Sequence, residues 1–166
     1  MKNKLIALIA ATIFTGCATA VVIGGAAVQI IACELAKSKP AAKAPLLAGG
    51  NIFKAFGSDV PPTQAELEAA LSAIPKLDQL DQVEIDAMWD AVCVGYGELY
   101  NAIETPEQKV KLQLVLTSIG TALVNGSTCQ APPTSRLSAM TPRKQTPPTW
   151  KELGDAIKKD FRGVVR

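Results

Sequence analysis

Apolar residues dominate the first 33 positions of the chain, and acidic residues begin only after them. Lys2 and Lys4 open the sequence, and no further charge follows until Glu34. A basic start before an uncharged apolar run is typical of a membrane-targeting segment, which is either cleaved or kept as an anchor. We therefore assign 1–33 as a signal or membrane anchor, which places the rest of the chain in a bacterial-type cell envelope.

The apolar pattern becomes irregular after this run and then turns helical. The stretch 34–62 is rich in proline, glycine and lysine with few periodic apolar positions, and we interpret it as a linker. From Thr63 onward, apolar residues recur at helical spacing. Thr63 and Glu66 form a capping-box pattern, which predicts a short helix that ends before Pro75.

Two longer helices are predicted in the middle of the chain. Asp81 is a suitable cap for a helix that runs to about Ile103. Its apolar stripe contains Ile85, Met88, Val92, Tyr96, Leu99 and Ile103. Thr105-Pro106-Glu107-Gln108 predicts the next start, and Asn125-Gly126 predicts a left-handed stop. The short break between the two helices predicts an antiparallel hairpin, so 63–129 is defined as a small helical domain.

The C-terminal part contains a proline-rich segment and one amphipathic helix. Prolines exclude regular structure over most of 130–148, which we interpret as an extended strap. Thr149 then caps a basic helix over 149–166. An isolated helix of this length is marginal in water, so it should lie on the protein's own core, on another subunit or on anionic lipid. The predicted partner or membrane contacts are Trp150, Leu153, Ile157, Phe161, Lys158 and Lys159.

These patterns contain no strand-like alternation of useful length, so the predicted fold class is all-α. The expected architecture is an apolar N-terminal segment, a small three-helix domain built on a helical hairpin, the strap and the C-terminal helix. A domain of this size buries a modest core and often depends on a disulfide, a membrane or oligomerisation.

Charge changes this picture because it is unevenly distributed. The formal net charge is +2, but acidic residues concentrate between Asp59 and Glu107 and basic residues follow Val110. Loss of Lys2 and Lys4 with a signal would leave a neutral chain, so nucleic acid is not an expected partner. The segregation suggests self-complementary packing, within one chain or between neighbours.

Two motifs in the apolar run resemble the lipobox of bacterial lipoproteins, in which a cysteine after a small residue is lipidated on sulfur. Phe14-Thr15-Gly16-Cys17 has the small residues but an aromatic first position, whereas Ile30-Ile31-Ala32-Cys33 has the usual aliphatic one. Cleavage at Cys33 would leave a polar start that looks like a lipoprotein tether. Cleavage at Cys17 would leave an apolar run attached. The resemblance covers the leader alone and implies lipidation of Cys17 or Cys33.

An uncleaved anchor is the alternative interpretation of the same run. Leu5 to Cys33 contains more than the ~20 apolar residues that a helix needs to span a bilayer. Such a helix would have to tilt or span only in part.

The cysteines bear on both structure and chemistry. The chain has four cysteines and no histidine, so it has no Cys–His or Ser–His nucleophile and no zinc site of the common Cys/His spacings. If Cys33 is lipidated, Cys17 leaves with the signal, and Cys93 and Cys129 remain as an even pair. These two are candidates for a disulfide in an oxidising compartment. The alternative is that Cys93 is a small buried apolar side chain on a helix. No catalytic, cofactor-binding or metal-binding residue is predicted, and the carboxylates of 78–90 are typical of a solvated helix face.

Together these features predict a non-enzymatic envelope lipoprotein. It would be tethered to a membrane, face the periplasm or the exterior, and serve as an accessory or binding component of a larger assembly. The alternative is an uncleaved, membrane-anchored structural protein of a phage particle, lysis system or secretion machine. In both hypotheses the expected partners are a membrane and a protein, either a different one or a second copy, and no cofactor is involved.

Overall fold

The computed structural model describes residues 25–58, 60–76, 79–130 and 146–164. All regular secondary structure within these ranges is helical, which confirms the all-α fold class. The first helix, α1, covers 25–38 of the described chain, and a 3-10 turn at Pro40–Ala42 leads from it into the second. The remaining helices are α2 (Lys43–Gly57), α3 (Gln64–Ser72), α4 (Gln79–Ala102), α5 (Pro106–Ser127) and α6 (Trp150–Arg162).

Three helix starts follow the capping signals in the sequence. At α3 the Thr63 hydroxyl accepts from the Glu66 amide, and the Glu66 carboxylate accepts from the Thr63 amide at 2.7 Å. The same reciprocal arrangement begins α5 at Thr105 and α6 at Thr149. Each box satisfies amide groups that have no partner inside the helix, and all three predicted starts are confirmed.

The predicted linker at 34–62 is wrong. α2 occupies its centre, and Leu46 and Phe53 are fully buried in the core. Pro45 does not interrupt α2 because it lies in the first turn, where an amide has no acceptor inside the helix. Residues that suggested a loop by composition therefore form a helix because its apolar face is buried.

Two further boundaries also differ from expectation. α4 begins at Gln79, two residues before the predicted cap at Asp81. α5 continues through Asn125-Gly126 to Ser127, so the predicted left-handed stop at that dipeptide is wrong. Gly126 instead allows α1 to approach closely, as described below.

The helices form two layers that share one apolar core. α2 packs extensively along α5, and α1 lies beside α5; we call these three helices the basic layer. α4 packs against both α3 and α6; we call these three the acidic layer. Because α4 and α5 lie in different layers and do not pack along each other, the predicted antiparallel hairpin is wrong. α1, α2 and α5 contain five lysines and two acidic residues, whereas α3, α4 and α6 contain ten acidic residues and four basic ones, all four on α6.

The basic layer is held by direct contact between helix backbones. A Cβ atom added to Gly50 of α2 would lie 2.8 Å from the carbonyl oxygen of Gly120 of α5. A Cβ atom added to Gly120 would lie 2.6 Å from the Gly50 carbonyl oxygen and the Lys54 amide nitrogen. Only glycine lets the two helices come this close.

The acidic layer is held by side chains instead. Phe161 of α6 packs edge-on against Tyr96 of α4, with ring centroids 5.6 Å apart. The Tyr96 hydroxyl donates at 2.6 Å to the buried carbonyl of Pro62, which ties the connection between α2 and α3 to α4. The glycines of this layer face flexible side chains, such as Gly95 beneath Lys158 and Gly97 beneath Gln64.

The described end of the apolar N-terminal run lies in the core. Residues 25–33 belong to α1, where Val28 and Ala32 are fully buried, so this part of the predicted signal or anchor is core. No helix in the described ranges is both long enough and apolar enough to cross a membrane. The leader at 1–24 and most of the predicted strap, 131–145, lie outside these ranges.

Candidate functional site

The junction of α1 with the C-terminal end of α5 is closed by a disulfide. Cys33 of α1 is bonded to Cys129, which follows α5; their Cα atoms are 4.8 Å apart although 96 positions separate them in sequence. The predicted Cys93–Cys129 disulfide is therefore wrong. Cys93 lies buried on α4 as a free thiol. Counting cysteines could not reveal this pairing, because it depends on α1 and α5 lying side by side.

Cys129 also forms the left-handed end of α5. Its φ is 54°, the one positive φ among the non-glycine residues described. Its amide donates to the Gly126 carbonyl at 3.0 Å, and the Gln130 amide donates to the Asn125 carbonyl at 2.9 Å. This is the Schellman arrangement, in which glycine usually occupies the left-handed position. A β-carbon in that conformation costs about 1–2 kcal/mol, which the surrounding structure offsets.

Two further contacts align α1 along α5. The buried Gln29 side chain donates from Nε2 to the Gln130 carbonyl at 2.7 Å, which satisfies a polar group inside the core. A Cβ atom added to Gly126 would lie 2.9 Å from the Gln29 carbonyl oxygen. Gly25 lies against Ser118, earlier on α5. The two helices therefore run parallel, and the chain enters the domain beside the middle of α5.

The two lipidation candidates occupy different situations. The Cys33 sulfur is already bonded in the disulfide, and α1 residues before it form part of the core. A thioether on the same sulfur would exclude that bond, and cleavage before Cys33 would remove Val28 and Ala32 from the domain. Cys17 lies outside the described residues.

The free thiol of Cys93 has the properties of a core side chain. It is 3% exposed, and burial together with the negative charges of Glu68 and Asp90 raises its pKa to about 12. Because the thiolate is the reactive form of cysteine, this thiol is poorly suited to nucleophilic or redox chemistry.

The predicted contact face of α6 is not available to a partner or a membrane. Trp150, Leu153, Ile157 and Phe161 are at most 1% exposed, since they pack into the protein's own core. These four side chains are therefore not partner or membrane contacts. Of the three surfaces expected to cover α6, the protein's own core is confirmed.

The two lysines of the predicted contact set differ from these apolar residues. Lys158 lies over Gly95 and pairs with Asp155 at 2.9 Å. Lys159 is exposed. Neither lysine is directed at a described cavity.

The Asp160 carboxyl of α6 is the most perturbed acid in the described ranges. Burial, partly offset by the positive charge of Lys159, raises its pKa to about 7. Its Oδ2 atom has no hydrogen-bond partner among the described residues. A half-buried carboxyl of this kind favours the protonated form near neutral pH.

Two shallow grooves flank the segment between α2 and α3. The larger, about 420 Å³, is lined by Ala55, Phe56, Val60, Pro61, Pro62 and Glu66. The smaller, about 180 Å³, is lined by Val60, Pro61, Tyr100, Ile103, Lys109 and Leu112. The carboxylate of Glu66 caps α3, and hydrogen bonds from Thr63 lower its pKa, so it acts as a structural acceptor.

The carboxylates of α4 do not assemble into a metal site. Asp86 accepts from the Gln82 side chain at 2.5 Å, and Glu84 pairs with Lys39 at 3.4 Å. Within the part of the chain that the structure describes, no three metal-ligating side chains come together. The acidic surface of α4 is thus a solvated helix face in this structure.

The chain was also compared with known proteins. No protein-family model matches it, and no curated protein or solved structure matches it. The class that the structure itself defines is an all-α domain of two helical layers, closed by one disulfide.

Proposed function

We propose that this protein is a non-enzymatic lipoprotein of the bacterial cell envelope, tethered to a membrane through Cys17. Its helical domain serves as an accessory or binding component of a larger assembly and faces the periplasm or the exterior. The observation that carries the proposal is the Cys33–Cys129 disulfide, which lies just after an apolar leader. Disulfides persist in oxidising compartments, and leaders of this type deliver proteins to them.

The structure of α1 favours Cys17 over Cys33 as the lipidated residue. The apolar residues after Cys17 are unsuited to a tether, but from residue 25 onward they supply the buried face of α1. The polar tether expected after Cys33 is replaced by α1, a short turn and α2. With Cys17 lipidated, Cys33 and Cys129 form the disulfide and Cys93 stays buried.

The non-enzymatic part of the proposal rests on where the perturbed groups lie. Residues that perform catalysis usually have perturbed pKa values in a cleft. Here the acid and the thiol with the most strongly raised pKa values line neither groove, since Asp160 is half-buried on α6 and Cys93 is buried on α4. The grooves beside Val60 present mainly apolar side chains, together with a structural carboxylate in the larger one and with Tyr100 and Lys109 in the smaller one.

The second candidate is an uncleaved, membrane-anchored structural protein of a phage particle, lysis system or secretion machine. One observation favours it: from Leu5 into α1 the sequence contains no charge. No polar tether therefore separates the leader from the folded domain. In this case the protein would reside in a virion or an assembled envelope machine.

The intact mass of the native protein, extracted from membranes, tests the two candidates against each other. The proposal predicts a chain that begins at Cys17, carries acyl groups and contains one disulfide. Cys17→Ser should abolish the lipid, whereas Cys33→Ser should retain it. A full-length chain without lipid would overturn the lipoprotein and favour the anchor, and loss of lipid in Cys33→Ser would assign the modification to Cys33.

Assembly is tested on the same material. Solubilised in mild detergent, the protein should migrate on a native gel well above its monomer mass. A protein that migrates only as a monomer would argue against a component of a larger assembly, while leaving the lipid result intact.

A further inference from the structure

The basic layer exposes an apolar pair close to the point where the leader enters the domain. Val110 and Leu114 lie about one turn apart on α5, and they are 55% and 56% exposed. Gly25, at the N-terminal end of the described part of α1, lies against Ser118, one turn further along α5. A membrane that holds the leader is therefore brought near this pair.

The charges around the pair suit an anionic surface. Lys109 and Lys111 flank Val110 on its two sides, and Glu107 is the one acidic residue in the sequence of α5. α2 packs along α5 without any acidic residue of its own and contributes Lys54, which lies against Gly120 of α5. Apolar side chains bordered by lysines are the combination with which surface helices bind anionic headgroups.

The acidic layer also exposes apolar side chains, but among acidic neighbours. Val83 and Val94 of α4 are 71% and 54% exposed, about as much as the pair on α5. Their helix, however, carries Glu84, Asp86 and Asp90 between them and no basic residue. Exposure alone would not distinguish the two pairs, whereas charge and the position of the leader do.

We propose that the face of α5 centred on Val110 and Leu114 docks on the anionic membrane surface that holds the leader. This inference rests on the proposed membrane tether. Val110 and Leu114 enter the boundary between headgroups and acyl chains, and Lys109 and Lys111 extend to the phosphates. The acidic face of α4 is then directed away from the bilayer.

The test uses the full chain reconstituted into vesicles of phosphatidylethanolamine and phosphatidylglycerol with brominated acyl chains. A Val110→Trp variant places a fluorophore in the docking face. The matched control is Val94→Trp, at a similarly exposed position on α4. The native Trp89 and Trp150 are at most 4% exposed, so they contribute a constant background.

We expect the added fluorescence of Val110→Trp to fall about two-fold or more, since its ring would lie at the acyl boundary. Val94→Trp should stay unquenched. Adding Lys109→Glu and Lys111→Glu to Val110→Trp should remove the quenching, as should replacing the anionic lipid by phosphatidylcholine.

The outcomes separate this inference from the proposed tether. A protein that does not float with the vesicles overturns the tether and, with it, the docking. A protein that floats but shows no quenching at position 110 overturns the docking alone; its leader or a second copy would then cover the face. Quenching at position 94, or quenching that is equal in neutral vesicles, also overturns the docking.

Discussion

The basic layer and the acidic layer achieve close packing in different ways. In the basic layer, Gly50 and Gly120 bring two helix backbones together, and a disulfide fixes α1 to the end of α5. In the acidic layer, large side chains such as Tyr96 and Phe161 fill the space between helices. A backbone cannot move aside without moving its helix, whereas a side chain can change rotamer. The basic layer should therefore tolerate substitutions that add volume between its helices less well than the acidic layer does.

Among the substitutions that test this difference, loss of the disulfide should lower the free energy of unfolding most. Cys33→Ser opens a loop that closes across 96 positions, and it should lower the free energy of unfolding by about 4 kcal/mol. Urea denaturation measures the change, and reductant should reproduce it in the wild-type protein. The control is Cys93→Ala, which should cost about 1 kcal/mol for a small cavity and stay sensitive to reductant. Equal stability of Cys33→Ser and wild type would contradict the cross-link.

A pair of glycine substitutions compares the two layers directly. Gly120→Ala brings a methyl group against the Gly50 carbonyl and the Lys54 amide, and should cost about 2 kcal/mol. The methyl group of Gly95→Ala would lie 3.1 Å from the Lys158 side chain, and this flexible side chain can shift. Because alanine has the better helix propensity, this variant should be more stable than the wild type by up to ~1 kcal/mol. Thermal denaturation of both variants measures the difference. The same loss at both sites would remove the distinction between the layers.

The buried carboxyl of Asp160 predicts a pH dependence in the acidic layer. Its folded pKa of about 7 lies above its ordinary value of 3.8, so the folded state binds the proton more tightly. Its contribution to stability is therefore complete below about pH 4 and is lost as the pH rises through 7. Because the carboxyl is partly exposed, we expect the free energy of unfolding to fall by only about 2 kcal/mol over this pH range.

Two variants on α6 measure this pH effect. Asp160→Asn should flatten the stability profile between pH 4 and 7 and raise stability at pH 8. Asp155→Asn is the control, because hydrogen bonding and charge from Lys158 lower the pKa of Asp155 at the surface. A profile unchanged by Asp160→Asn would show that another group is responsible.

The smallest effect concerns the hydrogen bond that ties α4 to the segment before α3. Tyr96→Phe removes the donor to the buried Pro62 carbonyl and should cost about 1 kcal/mol. Tyr100→Phe, at the half-buried neighbouring ring, should cost less. Chemical denaturation of the two variants gives the comparison. A larger loss for Tyr100→Phe would mean that ring packing outweighs this hydrogen bond.

Much of the helical layout could be predicted because its signals are local. The three capping boxes lie within four residues each, and they begin α3, α5 and α6 where expected. The apolar face of α6 was also predicted, and the protein's own core, one of the three surfaces expected to cover it, is the one observed. α2 was missed because its proline and glycines resemble loop signals until the helix that packs against them is known.

The candidate site was predicted poorly because it depends on residues far apart in sequence. Parity favoured Cys93 as the partner of Cys129, yet the partner is Cys33 on a helix within the apolar run. The left-handed end of α5 falls on Cys129 instead of Gly126, because Gly126 is needed where α1 crosses closely. In neither case does the neighbouring sequence contain the deciding contact.

The sequence by itself determined an all-α chain, three helix starts and a charge segregation, because capping and charge depend on neighbouring residues. Only the tertiary structure decided that 25–33 of the apolar run lie in the core and which cysteines pair. The physical reason is that an apolar run is equally suited to a membrane and to a protein interior. The packing of α1 against α5 determines which residues of that run are core, and this packing involves positions 96 residues apart.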